Sequence, residues 1–343
     1  MRAIIRLFRL ARILFYYRTK RENVGIGPIR LWFDTSARCN LRCVMCPNKE
    51  LPASQKGLLS LDLFKKTIDE ALPALHDIYL HHRGEPLLNP ALCDMIRYAR
   101  SRGVRTRFHS NGTLLTADWC ARLLDARPDL ISFSIDGFYK EAYEKVRIGA
   151  NFEATLENVF RLLQMRRDRK QKAPYIVIEK IHFKNSTPPD SPTGARIKEL
   201  ARRFMEAGAD EVIEKEEYQW STTDAPEDNS TGICSRCTFP WYAMVISWDG
   251  TVTPCPQDFD TVMKMGNVSS ASLRDIWNSP AYRELRRKHC SDISSLQLCR
   301  KCDRLRRKTV GGLPLQYMVT FLVDHLVGYN RLRKMLGTAE RNV

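Results

Sequence analysis

Three cysteines, Cys39, Cys43 and Cys46, fall within eight residues of one another in the stretch SARCNLRCVMCPN, Ser36 to Asn48. Thiols this close act as metal ligands or as redox partners. A structural zinc site is usually closed by four ligands in two separated pairs, yet the next cysteine, Cys93, is far down the chain. A disulfide with one thiol left over needs an oxidising compartment. The opening MRAIIRLFRLARILFYYRTK gives no sign of one, because arginines interrupt its apolar positions and no small-residue cleavage site follows. An iron–sulfur cluster normally takes four thiolates, so three leave one iron open to a substrate or cofactor. Eight residues span at most about 28 Å when extended, so the loop can fold around one small cluster. Of the three readings, the open cluster best explains the missing fourth ligand.

Six further cysteines crowd the C-terminal third: Cys234, Cys237, Cys255, Cys290, Cys299 and Cys302. By spacing alone, the pairs in CSRC and CRKC suit a zinc ribbon. Cys93 and Cys120 lie among apolar residues on helical patterns and read as ordinary buried thiols. Eleven cysteines in 343 residues, gathered in groups, are too sparse for a disulfide scaffold and favour metal ligation in a reducing cytoplasm.

These side chains need a frame. Short apolar runs alternate with helical patterns: IRLWFDTS ends at the cysteine loop, HDIYLHH at RGEP, VRTRFHS at NGT, LISFSI at DG, YIVIEKIHF at KNS, and DEVIEK closes the series. Between them lie helix-like stretches such as SLDLFKKTIDEAL, with Ser60 as its N-cap, and NFEATLENVFRLLQMRRDRK. Strands alternating with helices predict βαβ units, a parallel sheet and right-handed crossovers, and ligands at the C-terminal strand ends. The fold expected is α/β: a partial (β/α)6 TIM-like barrel over 29–217. STTDAPEDNSTG reads as a linker into a small cysteine-rich hairpin-plus-helix domain over 218–310, in which WYAMVISWDGTVTPC turns at Asp249 and Gly250.

With its order of motifs, CNLRCVMC then GEP, SNG and SIDG after successive strands, the sequence resembles radical S-adenosylmethionine (SAM) enzymes, and its tail resembles their SPASM/Twitch auxiliary-cluster domain. The resemblance implies that Cys39, Cys43 and Cys46 hold a [4Fe–4S] cluster whose fourth iron is chelated by SAM. It implies reductive cleavage of SAM to a 5′-deoxyadenosyl radical that abstracts hydrogen from substrate, with the electron supplied by a reductant such as flavodoxin or ferredoxin. Gly84, Glu85 and Pro86 match the motif that receives the SAM amino group, and Asn111, Ser134 and Asp136 match contacts to its ribose and carboxylate. Met45 stands where an aromatic residue is common, offering its thioether to adenine, and YIVIEKIHF lacks the glycine-containing adenine motif of some members. Cys237, Cys255, Cys299 and Cys302 map onto an auxiliary [4Fe–4S] cluster, leaving Cys234 and Cys290 spare. Such a closed cluster points to net oxidation or bond formation with the cluster as electron acceptor. A radical epimerase drawing hydrogen from a spare cysteine, or a peptide-maturing enzyme, is the alternative. His81, His82 and Arg83, beside the GEP motif, are candidates to touch substrate.

A formal net charge of +16 predicts attraction to a polyanion. The N-terminal segment, 1–28, reads as a basic amphipathic helix with Arg2, Arg6 and Arg9 on one face, suited to an anionic membrane surface or to packing on the barrel. The C-terminal segment, 311–343, reads similarly, so the substrates to consider are small molecules, peptides and lipid-linked compounds. A zinc-containing nucleic-acid-binding protein would explain charge and cysteine pairs. It would not explain the ordered strand-end motifs, and the basic stretches lack the interleaved aromatics of a base-stacking surface.

Overall fold

The computed structural model describes residues 2–182, 194–216, 236–302, 305, 309–310 and 313–314. Their elements run α1 (Arg2–Arg18), β1 (Arg30–Phe33), α2 (Leu61–Ala71), β2 (Asp77–Tyr79), α3 (Leu92–Ser101), β3 (Arg105–Ser110), α4 (Ala117–Ala126), β4 (Leu130–Ser134), α5 (Lys140–Val146), α6 (Phe152–Asp168), β5 (Tyr175–His182), α7 (Gly194–Ala207) and β6 (Glu211–Glu216). The tail adds β7 (Ala243–Ile246), β8 (Thr251–Thr253), β9 (Gly266–Asn267), α8 (Leu273–Trp277), α9 (Pro280–Ser291), α10 (Gln297–Arg300), β10 (Thr309–Val310) and β11 (Leu313–Pro314). All six expected barrel strands form, and β1 to β6 lie side by side in chain order, every pair parallel. This is the α/β partial barrel anticipated from the alternation.

The tail does not stand apart from this sheet. β7 pairs in parallel with the free side of β1, Arg30 opposite Ala243 and Phe33 opposite Ile246, and β8 and β9 follow antiparallel. Every residue of β7 is buried, as a strand covered on both faces requires. Its hairpin needs three residues, not two: Ser247 N–H donates to Thr251 O (2.8 Å), and Trp248, Asp249 and Gly250 make the bend. Gly250 takes φ +85°, which a Cβ would strain.

Alternation gives the sheet two different faces. Leu31, Phe33, Ile78, Leu80, Phe108, Phe133 and Ile178 pack with Phe64 and Ile68 of α2, Met95 of α3, Leu123 of α4 and Leu162 of α6 in one continuous core. Each such side chain contributes about 1.5–3 kcal/mol on burial, and Ile68→Ala would cost about 2–5 kcal/mol. Helix starts are fixed by side chains: Ser60 Oγ accepts from Leu63 N–H (3.2 Å) and Asn151 Oδ1 from Ala154 N–H (2.9 Å). The other face of the sheet carries Trp32, Tyr79, His81, Arg107, His109 and Glu179, with a small apolar base of Leu130, Tyr175, Val177 and Ile213.

α1 packs on the body through Leu10, Ile13 and Tyr17. Tyr17 meets Trp241 edge to face (5.4 Å), and its hydroxyl donates to Arg236 O (3.0 Å). Arg6 and Arg9 flank this buried stripe and are half-buried, whereas Ile4, Leu7, Phe8 and Phe15 point outward. The C-terminal helix expected over 311–343 falls outside the described residues except at 313–314, where the chain forms β11, paired antiparallel with β10. The linker and Cys234 also lie outside them.

Candidate active site

The cysteine loop follows β1 and is held from several sides. Glu85 N–H donates to Arg38 O (2.9 Å), and Asn48 Nδ2 bridges Ala37 O and Arg83 O (both 2.8 Å). Arg42 and Val44 N–H groups donate to the carbonyls of Ile148 and Val146. At Gly84, an added Cβ would lie 2.3 Å from both Ser36 O and Arg38 O, so only glycine lets the turn after β2 approach the loop. Cys39 and Cys46 are half-buried, Cys43 is buried, and Met45 is half-buried between them.

The other strand ends converge on this loop. Glu85 is buried, and its carboxylate accepts from Leu87 N–H (3.0 Å), Ser110 Oγ (2.9 Å) and Asn111 N–H (2.8 Å). Burial pushes its pKa up, against these three donors. Asn111 Nδ2 donates to Asn40 Oδ1 (3.0 Å), tying β3 to the cysteine loop. Pro86 is buried and Ser134 half-buried. Asp136 is buried, with Oδ2 2.7 Å from Arg147 Nε and Oδ1 without a hydrogen-bond partner. A buried carboxylate oxygen left unpaired is costly, and this one suits a donor from a bound molecule.

Burial pushes the Cys39 thiol up to about 11 and raises Cys43 and Cys46 as well; neighbouring thiols add to the rise and Arg147 opposes it. The thiols therefore keep their protons near neutral pH until a metal displaces them. Among the described residues, no three His, Cys, Asp or Glu side chains gather at the spacing of a single metal ion.

In the tail, Cys237, Cys255, Cys299 and Cys302 line one small cavity of about 30 Å³, together with apolar neighbours such as Phe239 and Leu298. Burial raises Cys255 and Cys299, and the other thiols of the set add to it. Cys290 is not among the lining residues; its sulfur lies 3.4 Å from Arg236 Nη1, in the contact with α1. His289 Nε2 sits 3.7 Å from Cys299 Sγ. Cys93 and Cys120 are buried in the core.

Of the three residues beside GEP, Arg83 pairs with Asp34 (2.8 Å) and donates from Nη1 to Thr261 Oγ1 (3.3 Å), and His82 Nε2 contacts Pro256 O (2.9 Å), so both join core to tail. His81 instead stacks on His109, ring centroids 4.2 Å apart, on the second face of the sheet. There Glu179 Oε2 lies 3.6 Å from His109 Nδ1, and Lys215 Nζ donates to Glu179 Oε1 (2.7 Å). Sequence reading missed Asn40, Asn48, Arg147, His109, Glu179 and Lys215. The alternation that carries His109, Glu179 and Lys215 along β3, β5 and β6 was visible; their pairing, and the loop contacts of Asn40, Asn48 and Arg147, were not.

Comparison with known proteins supplies two family matches: residues 34–171 match the radical SAM superfamily, and residues 234–303 match SPASM, an iron–sulfur cluster-binding domain. The chain is 28% identical over 300 residues to the tungsten-containing aldehyde ferredoxin oxidoreductase cofactor-modifying protein of Pyrococcus furiosus, covering 74% of this chain and 81% of that one. It is 33% identical to the AdoMet-dependent heme synthase of Methanosarcina barkeri, over only 39% of this chain and 38% of that one. Among solved structures it resembles BtrN in complex with AdoMet and 2-DOIA (TM-score 0.51, 18% identity, 80% of this chain and 92% of that one). It also resembles Streptococcus suis SuiB bound to precursor peptide SuiA (TM-score 0.57, 16% identity, 84% and 73%).

Proposed function

We propose that this chain, which belongs to the radical SAM superfamily and carries a C-terminal SPASM iron–sulfur domain, removes a hydrogen atom from its substrate and completes a net oxidation. When bound, a [4Fe–4S] cluster with SAM supplies reductive cleavage to methionine and a 5′-deoxyadenosyl radical, and an auxiliary iron–sulfur cluster supplies a second electron-transfer site. The carrying observation is the convergence of four strand ends on one cysteine loop, with the turn at Gly84 and the side chains of Asn48 and Asn111 holding that loop in place.

In this reading Cys39, Cys43 and Cys46 hold the cluster, and the fourth position belongs to SAM. Three internal donors already occupy the Glu85 carboxylate, so the carbonyls of Gly84, Glu85 and Pro86 are the better acceptors for the SAM amino group. The unpartnered Asp136 Oδ1 would accept from a SAM hydroxyl, Ser134 and Asn111 would complete the polar contacts, and Met45 would pack on adenine. Cys237, Cys255, Cys299 and Cys302 hold the auxiliary cluster. Four thiolates would close it, which leaves structure and electron transfer as its uses and favours oxidation. Cys290, engaged with Arg236 beside α1, is poorly placed to return hydrogen as an epimerase would need.

Radical SAM enzymes need an electron donor, which we assign to a flavodoxin or ferredoxin, and act on small molecules or peptides. The cofactor-modifying and heme-synthase relatives support the first class, and mycofactocin maturase of Mycobacterium tuberculosis, 31% identical over 37% of this chain, supports the second. The test is anaerobic reconstitution with iron and sulfide, then dithionite and SAM. Wild type should be brown and form 5′-deoxyadenosine. A Cys39/Cys43/Cys46→Ala triple variant that still formed it would sink the assignment.

We also propose that α1 meets an anionic membrane. Its outward face, Ile4, Leu7, Phe8 and Phe15, is apolar on a chain of net charge +16, a combination that lies on bilayers. Among the described residues no helix is long and apolar enough to cross one.

A further inference from the structure

We infer that His109, backed by Glu179, takes a proton from the substrate, and that the proton comes from a hydroxyl bridging the Nε2 edges of the stacked His109 and His81 rings. This rests on the oxidative reading above and deepens it by naming the group the site recognises.

The geometry assigns the ring nitrogens of His81 and sets His109 against a carboxylate. His109 N–H donates to His81 Nδ1 (3.2 Å); that nitrogen is therefore the acceptor, and the ring hydrogen of neutral His81 resides on Nε2. His109 Nδ1 faces Glu179 Oε2 at 3.6 Å, longer than a hydrogen bond; once that contact closes on a substrate, the carboxylate would hold the ring hydrogen on Nδ1 and leave the lone pair on Nε2. Catalytic hydrogen bonds are commonly this long before substrate arrives. Burial lowers the pKa of both rings; His109 and His82 add to the effect at His81, Lys215 adds to it at both, and Glu179 opposes it at both. Lys215, whose side chain is 41% exposed, pairs with Glu179 and keeps that carboxylate ionised. Tyr79 packs against His81 from below (5.7 Å), and Arg107 in turn lies over Tyr79.

Stacked rings, one presenting N–H and the other a lone pair, match a group that both accepts and donates. A hydroxyl does both. An ammonium cannot accept, and a carboxylate cannot donate. The balance for an alcohol is simple. The C–H bond breaks homolytically, its hydrogen atom going to the adenosyl radical. The O–H bond breaks heterolytically, its proton going to His109 Nε2. One electron leaves for an iron–sulfur cluster as the C=O bond forms, so the alcohol is oxidised by two electrons in all.

Diethyl pyrocarbonate, which acylates an imidazole lone pair, tests the assignment on the cluster-loaded, full-length protein under anaerobic conditions, read by peptide mass spectrometry. Wild type should be modified severalfold faster at His109 than at His81, whose lone pair is engaged by backbone. Glu179→Gln should slow His109 severalfold and shift the midpoint of its pH profile downward, leaving His81 unchanged. Equal reactivity of the two histidines in wild type, or a His109 rate and midpoint indifferent to Glu179→Gln, overturns the inference. SAM cleavage by the same wild-type preparation is scored separately: its absence defeats the proposed function, whereas cleavage with an inert His109 defeats only the proton acceptor.

Discussion

Arg147 Nε lies 2.7 Å from Asp136 Oδ2 with both side chains buried, and the same guanidinium faces Cys43. One side chain from the end of α5 thus links the turn after β4 to the cysteine loop. A buried pair of this kind gives geometry more than stability, because desolvation offsets its Coulomb energy, yet removing one partner strands the other charge.

Arg147→Met should therefore lower stability by about 3–5 kcal/mol, read as a fall in the urea midpoint. Asp136→Asn, which keeps an oxygen toward Arg147, should cost less. Reversal of that order would show that the arginine matters through its stem and not through its charge.

Gly84→Ala tests the close approach of two loops. The new methyl meets two backbone carbonyls at 2.3 Å, and neither is the end of a flexible side chain, so the loops must part. Overpacking of this kind costs about 1–3 kcal/mol. Iron retention by the cysteine loop should fall while the tail keeps its iron. A variant with wild-type iron content and SAM cleavage would contradict the contact.

The barrel strands were legible because burial imprints itself on alternation: LISFSI and YIVIEKIHF show their covered face directly. What alternation cannot supply is partnership. That β7 docks on β1, more than 200 residues earlier, needs an unpaired strand edge that no local pattern reveals. Glu179 meets His109 only because β4 and β5 settle in the register Ser134 opposite Glu179. The same limit applied to α1. Its two faces were visible, but the arginines at 6 and 9 flank the packed side, because Leu10, Ile13 and Tyr17 match the body better than the outward face does.

Stability should decline with acidity through the same second-face groups. His81 and His109 have lowered pKa values, burial being the main cause, so below about pH 6.5 the unfolded chain binds protons that the folded one refuses. Burial alone would raise Glu179, but Lys215 and His109 outweigh it and hold the carboxylate well below its usual range. Its contribution is therefore present above about pH 4.5 and fades as pH falls below that. Both effects have the same sign. Urea midpoints from pH 7 to 5 should fall less steeply for His81→Gln than for wild type; parallel curves would count against a buried neutral His81.

Cys255→Ala addresses the tail alone. The four thiols share one cavity, so losing one should strip the auxiliary iron, about half of the total if each site holds one cluster of equal size. 5′-Deoxyadenosine formation should persist, since the core cysteines lie on a separate loop. Complete loss of SAM cleavage in folded protein would mean that the two sites are not independent.

The outward face of α1 gives the last prediction. Phe8 is 63% exposed and Phe15 54%, an arrangement that wastes apolar surface in water and recovers it at a bilayer. Each ring inserted contributes about 1.5 kcal/mol or more, so each Phe→Ser change should weaken vesicle binding by about tenfold. The inward residues Leu10, Ile13 and Tyr17 are untouched, so the fold should hold. Co-sedimentation with phosphatidylglycerol vesicles would measure the effect, and raising salt should weaken wild-type binding further by screening its cationic surface. Neutral phosphatidylcholine vesicles separate the two contributions: insertion without charge attraction predicts equal binding to both lipids, whereas the combined reading predicts preference for the anionic one. Wild-type protein that ignores anionic vesicles at low salt would assign the exposed phenylalanines to a protein partner instead.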